Sequence, residues 1–213
     1  RLRGTRGRDR ETPRRGHASV FESSAPEVAS REHVTPPRRN KLPPEFYLVE
    51  KTESATIPFF KPGNNFASAE SLTFSSYLGL QSKAYLIYPK DPRNDLLILH
   101  NGHAAEMFPL SDEVNFFLDR GFHVLLMSMP LIPPNTRLTT YIPDRGSFEL
   151  SNHDQFKLLE SPGFNPIVLF LDPVNQAINY LRFRFNFYYI AMVGISGGGW
   201  TTTLYSALDT RIV

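Results

Sequence analysis

The residue whose surroundings most directly indicate chemistry is Ser196. It lies in Gly194–Gly198, whose letters GISGG match the pattern G-x-S-x-G. An apolar strand predicted over 189–195 precedes the serine, and a helix is predicted over 201–208. In that setting the chain must reverse sharply between strand and helix, and Gly194 and Gly198 have no side chains to obstruct the turn. The serine hydroxyl is then expected above the carboxyl edge of a parallel sheet, where α/β sheets bind ligands.

A serine in this position acts as a nucleophile only if nearby N–H groups stabilise the developing oxyanion. The N–H of Gly197, at the start of the following helix, is the first expected donor. The second is expected from the loop after the strand that ends at His100. We predict the His103 N–H for this role, with Gly102 as the second choice. The side chains of His100 and His103 either shape this loop or take a direct part in catalysis.

The Ser196 motif has two alternatives to a nucleophile. One is a glycine-rich turn between strand and helix that carries an unreactive serine. The second is a phosphate-binding turn, which is disfavoured because neither G-x-G-x-x-G nor a terminal Gly-Lys-Ser/Thr is present. A metal site at His100 and His103 is also disfavoured, because no acidic cluster accompanies them.

The elements around the motif alternate between strands and helices. Asp95–His100 and 122–127 are continuous apolar runs, as expected of strands buried on both faces. One helix is predicted to follow Ser111, which would be its N-cap. A second is predicted to start at Asp172-Pro173, with Asp172 as the cap and Pro173 in the first turn. This order predicts the α/β class, with a mostly parallel sheet and helices on both faces.

A long stretch that contains prolines separates two of these elements, at 128–165. Stretches of this length are uncommon in compact domains and often form lids or substrate pockets. Apolar residues within or near it are candidates either to line a pocket or to pack the core: Phe108, Met129, Leu131 and Trp200.

Charge and composition narrow the function classes for this chain of 213 residues and net charge +2. Residues 1–45 hold 11 basic and 6 acidic side chains and predict a disordered, proline-containing tail, with a targeting or anion-binding role as the alternative. Residues 46–71 are interpreted as a transition segment and 72–213 as the folded domain. That domain is mildly acidic and offers no basic groove for nucleic acid. Cysteine is absent, and no apolar run approaches the roughly 18 residues of a membrane span.

On these residues the sequence resembles the α/β-hydrolase superfamily. Leu96–His103 is similar to its strand and oxyanion loop, and Val193–Trp200 to its nucleophile elbow. The similarity is to the acetyl-xylan-esterase-like and dienelactone-hydrolase-like branches and to the catalytic domains of prolyl-oligopeptidase-type peptidases. It implies a serine hydrolase that acts on a small-molecule ester without metal or organic cofactor. It also implies a triad in the chain order serine, acid, histidine.

The sequence departs from that order after Ser196. Only 17 residues follow, with one carboxylate, Asp209, and no histidine. Asp209 comes too soon after the elbow to be the family's acid. We therefore expect an incomplete fold, with the last strands, acid and histidine beyond residue 213, and a chain that is inactive by itself. A convergent arrangement with an upstream histidine is the alternative.

Two further functions compete with an esterase. A prolyl-oligopeptidase-type peptidase would carry an upstream all-β domain, and residues 1–70 show no strand repeat. A non-catalytic α/β-hydrolase-like binding module would lack the histidine altogether.

Overall fold

The computed structural model describes residues 49–52, 55–103, 110–143 and 145–213, which lie in one unit spanning Arg39–Val213. The predicted tail at 1–45 falls outside these residues, and the division at 46–71 and 72–213 stays a prediction. The strands are β1 (Val49–Thr52), β2 (Phe66–Ser75), β3 (Gln81–Pro89), β4 (Asp95–His100), β5 (His123–Met127), β6 (Leu138–Ile142), β7 (Gly146–Leu150) and β8 (Tyr189–Gly194). The α-helices are α1 (Ser111–Leu118), α2 (Val168–Arg184) and α3 (Gly197–Leu208), and two 3₁₀ helices span Tyr77–Gly79 and His153–Leu159.

Six of the strands form one mixed sheet in the order β1-β2-β3-β5-β4-β8. The half that leads to Ser196 is parallel, with β4 between β5 and β8. β4 is buried along its whole length, as its apolar run predicts. β2 is an inner strand of this sheet, because β1 pairs with it along Val49–Thr52.

Helices cover both faces of the sheet, which confirms the predicted layering. Alternate residues of β4 belong to different cores: Leu96 and Ile98 pack with α2 and α3, and Leu99 packs with α1. Each fully buried leucine stabilises the fold by roughly 1.5–3 kcal/mol. These two cores pack on opposite faces of the parallel strands. Because β5, β4 and β8 are parallel, the loops that follow them lie at the same edge of the sheet.

Three predicted helix starts are wrong. α3 begins at Gly197, whereas its predicted range began at residue 201. α2 begins at Val168 rather than at Asp172, and Pro173 lies inside the helix. Asp172 does not cap α2; its Oδ2 accepts a hydrogen bond of 2.6 Å from Ser76 Oγ. Ser111 is the first residue of α1 rather than its cap, and its Oγ accepts a hydrogen bond from the Lys61 N–H. The local sequence pattern predicted Asp172 and Ser111 as helix caps. Each of these side chains instead accepts a hydrogen bond from a residue distant in sequence.

The long stretch between β5 and α2, here called the insertion (residues 128–165), has its own structure. β6 and β7 pair as an antiparallel hairpin, and the 3₁₀ helix His153–Leu159 follows. A separate core holds the insertion against Leu80 and Leu169; its buried members include Leu131, Leu138, Ile142, Leu150 and Phe156. The insertion is therefore a packed unit placed between two strands of the parallel half.

β8 is the last strand of the main sheet within the described residues. Val193 and Ile195, on or just after β8, are each 40 % exposed. The Val213 N–H donates a hydrogen bond of 3.1 Å to the Ile190 carbonyl. The described helices include none that is long and apolar enough to cross a membrane.

Candidate active site

Ser196 occupies a strained turn between β8 and α3. Its φ is 54° and its ψ is −120°, in a region that residues with a side chain rarely adopt. Such a conformation costs about 1–3 kcal/mol and persists only where the surrounding structure enforces it. The residue is exposed, whereas Gly197 and Gly198 behind it are buried. The turn therefore presents the hydroxyl outward at the carboxyl edge of the parallel strands.

The glycines on either side of Ser196 are required by close backbone contacts. A Cβ on Gly194 would overlap the Gly198 carbonyl, and a Cβ on Gly198 would overlap the carbonyl of His100. The predicted need for glycine at both positions is thus explained by space: the strand, the first turn of α3 and the loop after β4 are packed backbone against backbone.

The loop after β4 lies directly against this turn. A Cβ on Gly102 would be 2.8 Å from Ser196 Cβ and 3.3 Å from Gly197 N. The loop is held in place by the Ile195 N–H, which donates to the His100 carbonyl over 3.1 Å. The structure therefore brings together the segments that the sequence singled out at 100–103 and 194–198.

His100 supports this loop from inside the protein. The side chain is 2 % exposed, and its Nδ1 lies 2.9 Å from the Asn101 carbonyl oxygen, which accepts its proton in the neutral ring. Burial lowers the pKa of His100 to about 4, an effect that the hydrogen bond to Asn101 only partly opposes. His100 is thus neutral at pH 7 and shapes the loop without reaching the surface.

The N–H groups near Ser196 differ in their availability. The Gly102 N–H donates to Asn101 Oδ1 over 2.9 Å. Within the described part of the chain, the N–H groups of His103 and Gly197 have no acceptor. Of the two candidate donors in the loop, the N–H of Gly102 thus already has an acceptor, whereas that of His103 has none among the described residues.

Sequence reasoning missed the role of the insertion beside Ser196. His153, in the insertion, packs its ring against that of His103 with 5.0 Å between centroids. Phe170 contacts both His153 and Trp200, at 5.0 and 5.3 Å. Met129 lies beside Gly197, and a Cβ on that glycine would overlap its sulfur. No local pattern indicates these contacts, because they join residues that are far apart in the sequence.

The candidate pocket residues divide into two groups. Met129 and Leu131 are buried, whereas Trp200 is 45 % exposed. Phe108 lies outside the described residues. Met129 and Trp200 contact the elbow or its neighbours, but Leu131 belongs to the core of the insertion.

Asp209 has a structural role. Its carboxylate accepts hydrogen bonds from Tyr205 Oη at 2.6 Å and from the Arg211 guanidinium at 2.8 Å. Burial alone would raise the pKa of Asp209, but these partners outweigh it and lower the pKa to about 2. The network ties the end of α3 to α2 through Asn175.

No histidine of the described ranges forms a hydrogen bond with Ser196, and these ranges contain no group of three potential metal ligands. The described residues thus supply a strained serine and two N–H groups that have no acceptor among those same residues. They do not place a general base at the hydroxyl.

The fold agrees with that of solved esterases. The structure matches acetyl xylan esterase 1 from Thermoanaerobacterium sp. with a TM-score of 0.56 and 19 % identity over 78 % of this chain and 50 % of that one. It also matches a candidate acetyl xylan esterase from Bacteroides fragilis with a TM-score of 0.53 and 15 % identity, over 79 % of this chain and 47 % of that one. The predicted α/β-hydrolase fold is thereby confirmed, and the chain spans about half the length of these proteins. No protein-family model and no curated protein sequence matches it.

Proposed function

We propose that this chain carries the nucleophile and the oxyanion hole of a serine hydrolase that acts on carboxylic ester bonds. The observation that carries the proposal is the backbone of Ser196, with φ at 54° directly between a parallel strand and a helix. A structural serine has no need of a conformation that costs free energy, whereas a nucleophile gains an exposed hydroxyl from it. The esterases that share the fold support the ester substrate class.

The proposed reaction begins with attack of Ser196 Oγ on the ester carbonyl. The N–H groups of Gly197 and His103 receive the oxyanion, and the positive end of the α3 dipole adds to this stabilisation. Collapse of the tetrahedral intermediate expels the alcohol and leaves an acyl-serine, which water then hydrolyses. Gly102 allows the loop after β4 to lie close to Ser196, because any side chain at position 102 would meet Ser196.

Proton transfer in this scheme needs a histidine and an orienting acid. The resemblance assigns both to positions after the serine in the chain, so we propose that they follow residue 213. The complete reading frame is therefore the right protein for testing the activity.

A fluorophosphonate probe tests the nucleophile. Three forms of the protein from the complete reading frame are treated with the probe: the wild type, Ser196→Ala and Ser206→Ala. Ser206→Ala is the control, because it removes an exposed serine of α3. We expect labelling of the wild type and of Ser206→Ala, with the modified peptide containing Ser196, and none of Ser196→Ala. Equal labelling of both variants, or no labelling of the wild type, refutes the proposal.

Two substrates then distinguish the competing functions. Hydrolysis of p-nitrophenyl acetate that Ser196→Ala abolishes supports the esterase. Cleavage of peptide amides with no ester turnover would indicate a peptidase and contradict the proposed substrate class. A folded wild type that cleaves neither substrate and is not labelled would indicate a binding module.

A further inference from the structure

His153 lies where three parts of the site meet. Its ring contacts that of His103, in the loop after β4, and that of Phe170, in α2, with 5.0 Å between centroids in each case. Its Nε2 lies 2.6 Å from the carbonyl oxygen of Pro130, in the segment after β5. A single side chain of the insertion therefore joins the loop that holds the candidate oxyanion donor to two neighbouring segments.

The ring of His153 is itself well fixed. It is the first residue of a 3₁₀ helix whose N-terminus is closed by a capping box between Asn152 and Gln155. Phe156 packs beside it at 5.6 Å. Burial lowers the pKa of His153, so the ring is neutral at pH 7, and the acceptor at Pro130 places its single proton on Nε2.

His103 depends on such support. The residue is exposed, and its ring lies against His153 and beside Gly197; a Cβ on Gly197 would be 2.5 Å from His103 Nδ1. Its N–H has no acceptor within the part of the chain that the structure describes, so no hydrogen bond to those residues orients the peptide group. The contact between the two rings is therefore a route by which the insertion bears on the direction of that N–H.

His153 also contacts the segment that contains Met129, the other side chain beside Gly197. Met129, whose sulfur lies against Gly197, directly precedes Pro130. Through the Pro130 carbonyl, His153 adds a contact to this segment, beside the hydrogen bonds that Asn135 Nδ2 donates to the carbonyls of Ser128 and Met129. Both segments that flank Gly197 are thus in contact with His153.

We propose that His153 is a positioning residue: it holds the His103 ring, and thereby the His103 N–H, in the direction that an oxyanion at Ser196 requires. The inference rests on the proposed function. It assigns to the insertion a direct part in forming the oxyanion hole, in addition to any part in binding substrate. His153 itself does not touch the reacting atoms in this scheme.

The test compares His153→Ala with Phe164→Ala in the protein from the complete reading frame. Phe164 belongs to the same insertion, but its ring contacts Tyr77 at 6.1 Å and not the elbow. An oxyanion donor contributes about 10²–10³ in kcat, and its partial misplacement should cost a smaller factor. With p-nitrophenyl acetate we expect kcat of His153→Ala to fall about 10-fold or more, with KM within about twofold of wild type. Phe164→Ala should retain kcat within about twofold.

Urea unfolding shows whether His153→Ala disturbs the folding of the protein. Two further variants keep the test decisive if it does. His153→Gln offers an N–H to Pro130 without a ring, and His153→Phe offers a ring without the N–H. Each should recover part of the kcat that alanine loses, because each restores one of the two contacts.

Four results overturn the inference: kcat of His153→Ala within twofold of wild type, an equal loss in Phe164→Ala, a change in KM alone, or no recovery in either conservative variant. A wild type that hydrolyses the ester while His153→Ala does so equally well refutes this inference and leaves the proposed function standing. A wild type without activity or labelling refutes the proposed function, and the inference fails with it.

Discussion

Gly198→Ala is the substitution for which the structure makes the sharpest prediction. Gly198 is buried in the first turn of α3, and an added Cβ would be 2.6 Å from the carbonyl oxygen of Asn101 and closer still to that of His100. Both are backbone atoms in the loop that lies against Ser196. Gly199 next to it is a matched control, because among the described residues its Cβ would meet only the Gly194 carbonyl, at 3.2 Å.

The expected free-energy change follows from two opposing effects. Replacing glycine by alanine inside a helix stabilises by up to about 1 kcal/mol. At Gly198, relief of the overlap requires α3 and the loop to separate by roughly 1 Å, and overpacking of this kind costs about 1–3 kcal/mol. We therefore expect Gly198→Ala to lower the free energy of unfolding by about 1–2 kcal/mol. Gly199→Ala, which needs a shift of only a few tenths of an ångström, should be neutral or slightly stabilising.

Urea unfolding measures the stability part of this prediction, and kcat/KM for p-nitrophenyl acetate measures its effect on the site. A shift of 1 Å between reacting groups costs about 100-fold in rate, so Gly198→Ala should lose at least that much while Gly199→Ala stays near wild type. If Gly198→Ala proves as stable and as active as Gly199→Ala, the close packing of loop and helix described here is wrong.

Two predictions concern stability and association. Between pH 6.5 and pH 4, His100 alone should lower the free energy of unfolding by about 3 kcal/mol, because unfolded His100 takes up a proton near pH 6.5 and folded His100 only near pH 4. Urea unfolding across this range should show a smaller loss in His100→Asn, which keeps a donor for the Asn101 carbonyl; equal slopes would contradict the burial argument. The 213-residue chain should self-associate through the apolar edge at β8, and Val193→Lys should reduce this association in sedimentation velocity. Thr203→Lys, on the exposed side of α3, is the charge control, and an equal effect of both lysines would exclude the edge as the cause.

The sequence by itself determined the parts of this protein that depend on neighbouring residues. The strained turn at Ser196 was predictable because part of its constraint acts among consecutive residues: a Cβ on Gly194 would overlap the Gly198 carbonyl. The contact of Gly198 with the loop after β4 is a long-range one, although the motif already contained the glycine that it requires. The buried strand β4 was predictable for a similar reason, since a continuous apolar run is required of any strand covered on both faces.

The tertiary structure decided what depends on residues far apart in the chain. It placed β1 beside β2, began α2 at Val168 rather than at the Asp172-Pro173 pair, and folded the insertion into a unit with its own core. Whether a residue caps a helix, or a strand lies at the edge of a sheet, depends on which other segment packs against it. The local sequence pattern does not specify that segment.

The candidate oxyanion hole shows the same division within a single loop. Sequence reasoning located the loop after β4 and ranked the His103 N–H above that of Gly102, but it had no means to exclude either. The structure separates them through one contact, because the Asn101 side chain accepts the Gly102 N–H and leaves that of His103 without an acceptor in the described residues. It also brings His153 to His103 across 50 positions of sequence. Contacts over such a distance arise only when the cores pack, and so the sequence determined which serine is strained, whereas the fold decided which groups surround it.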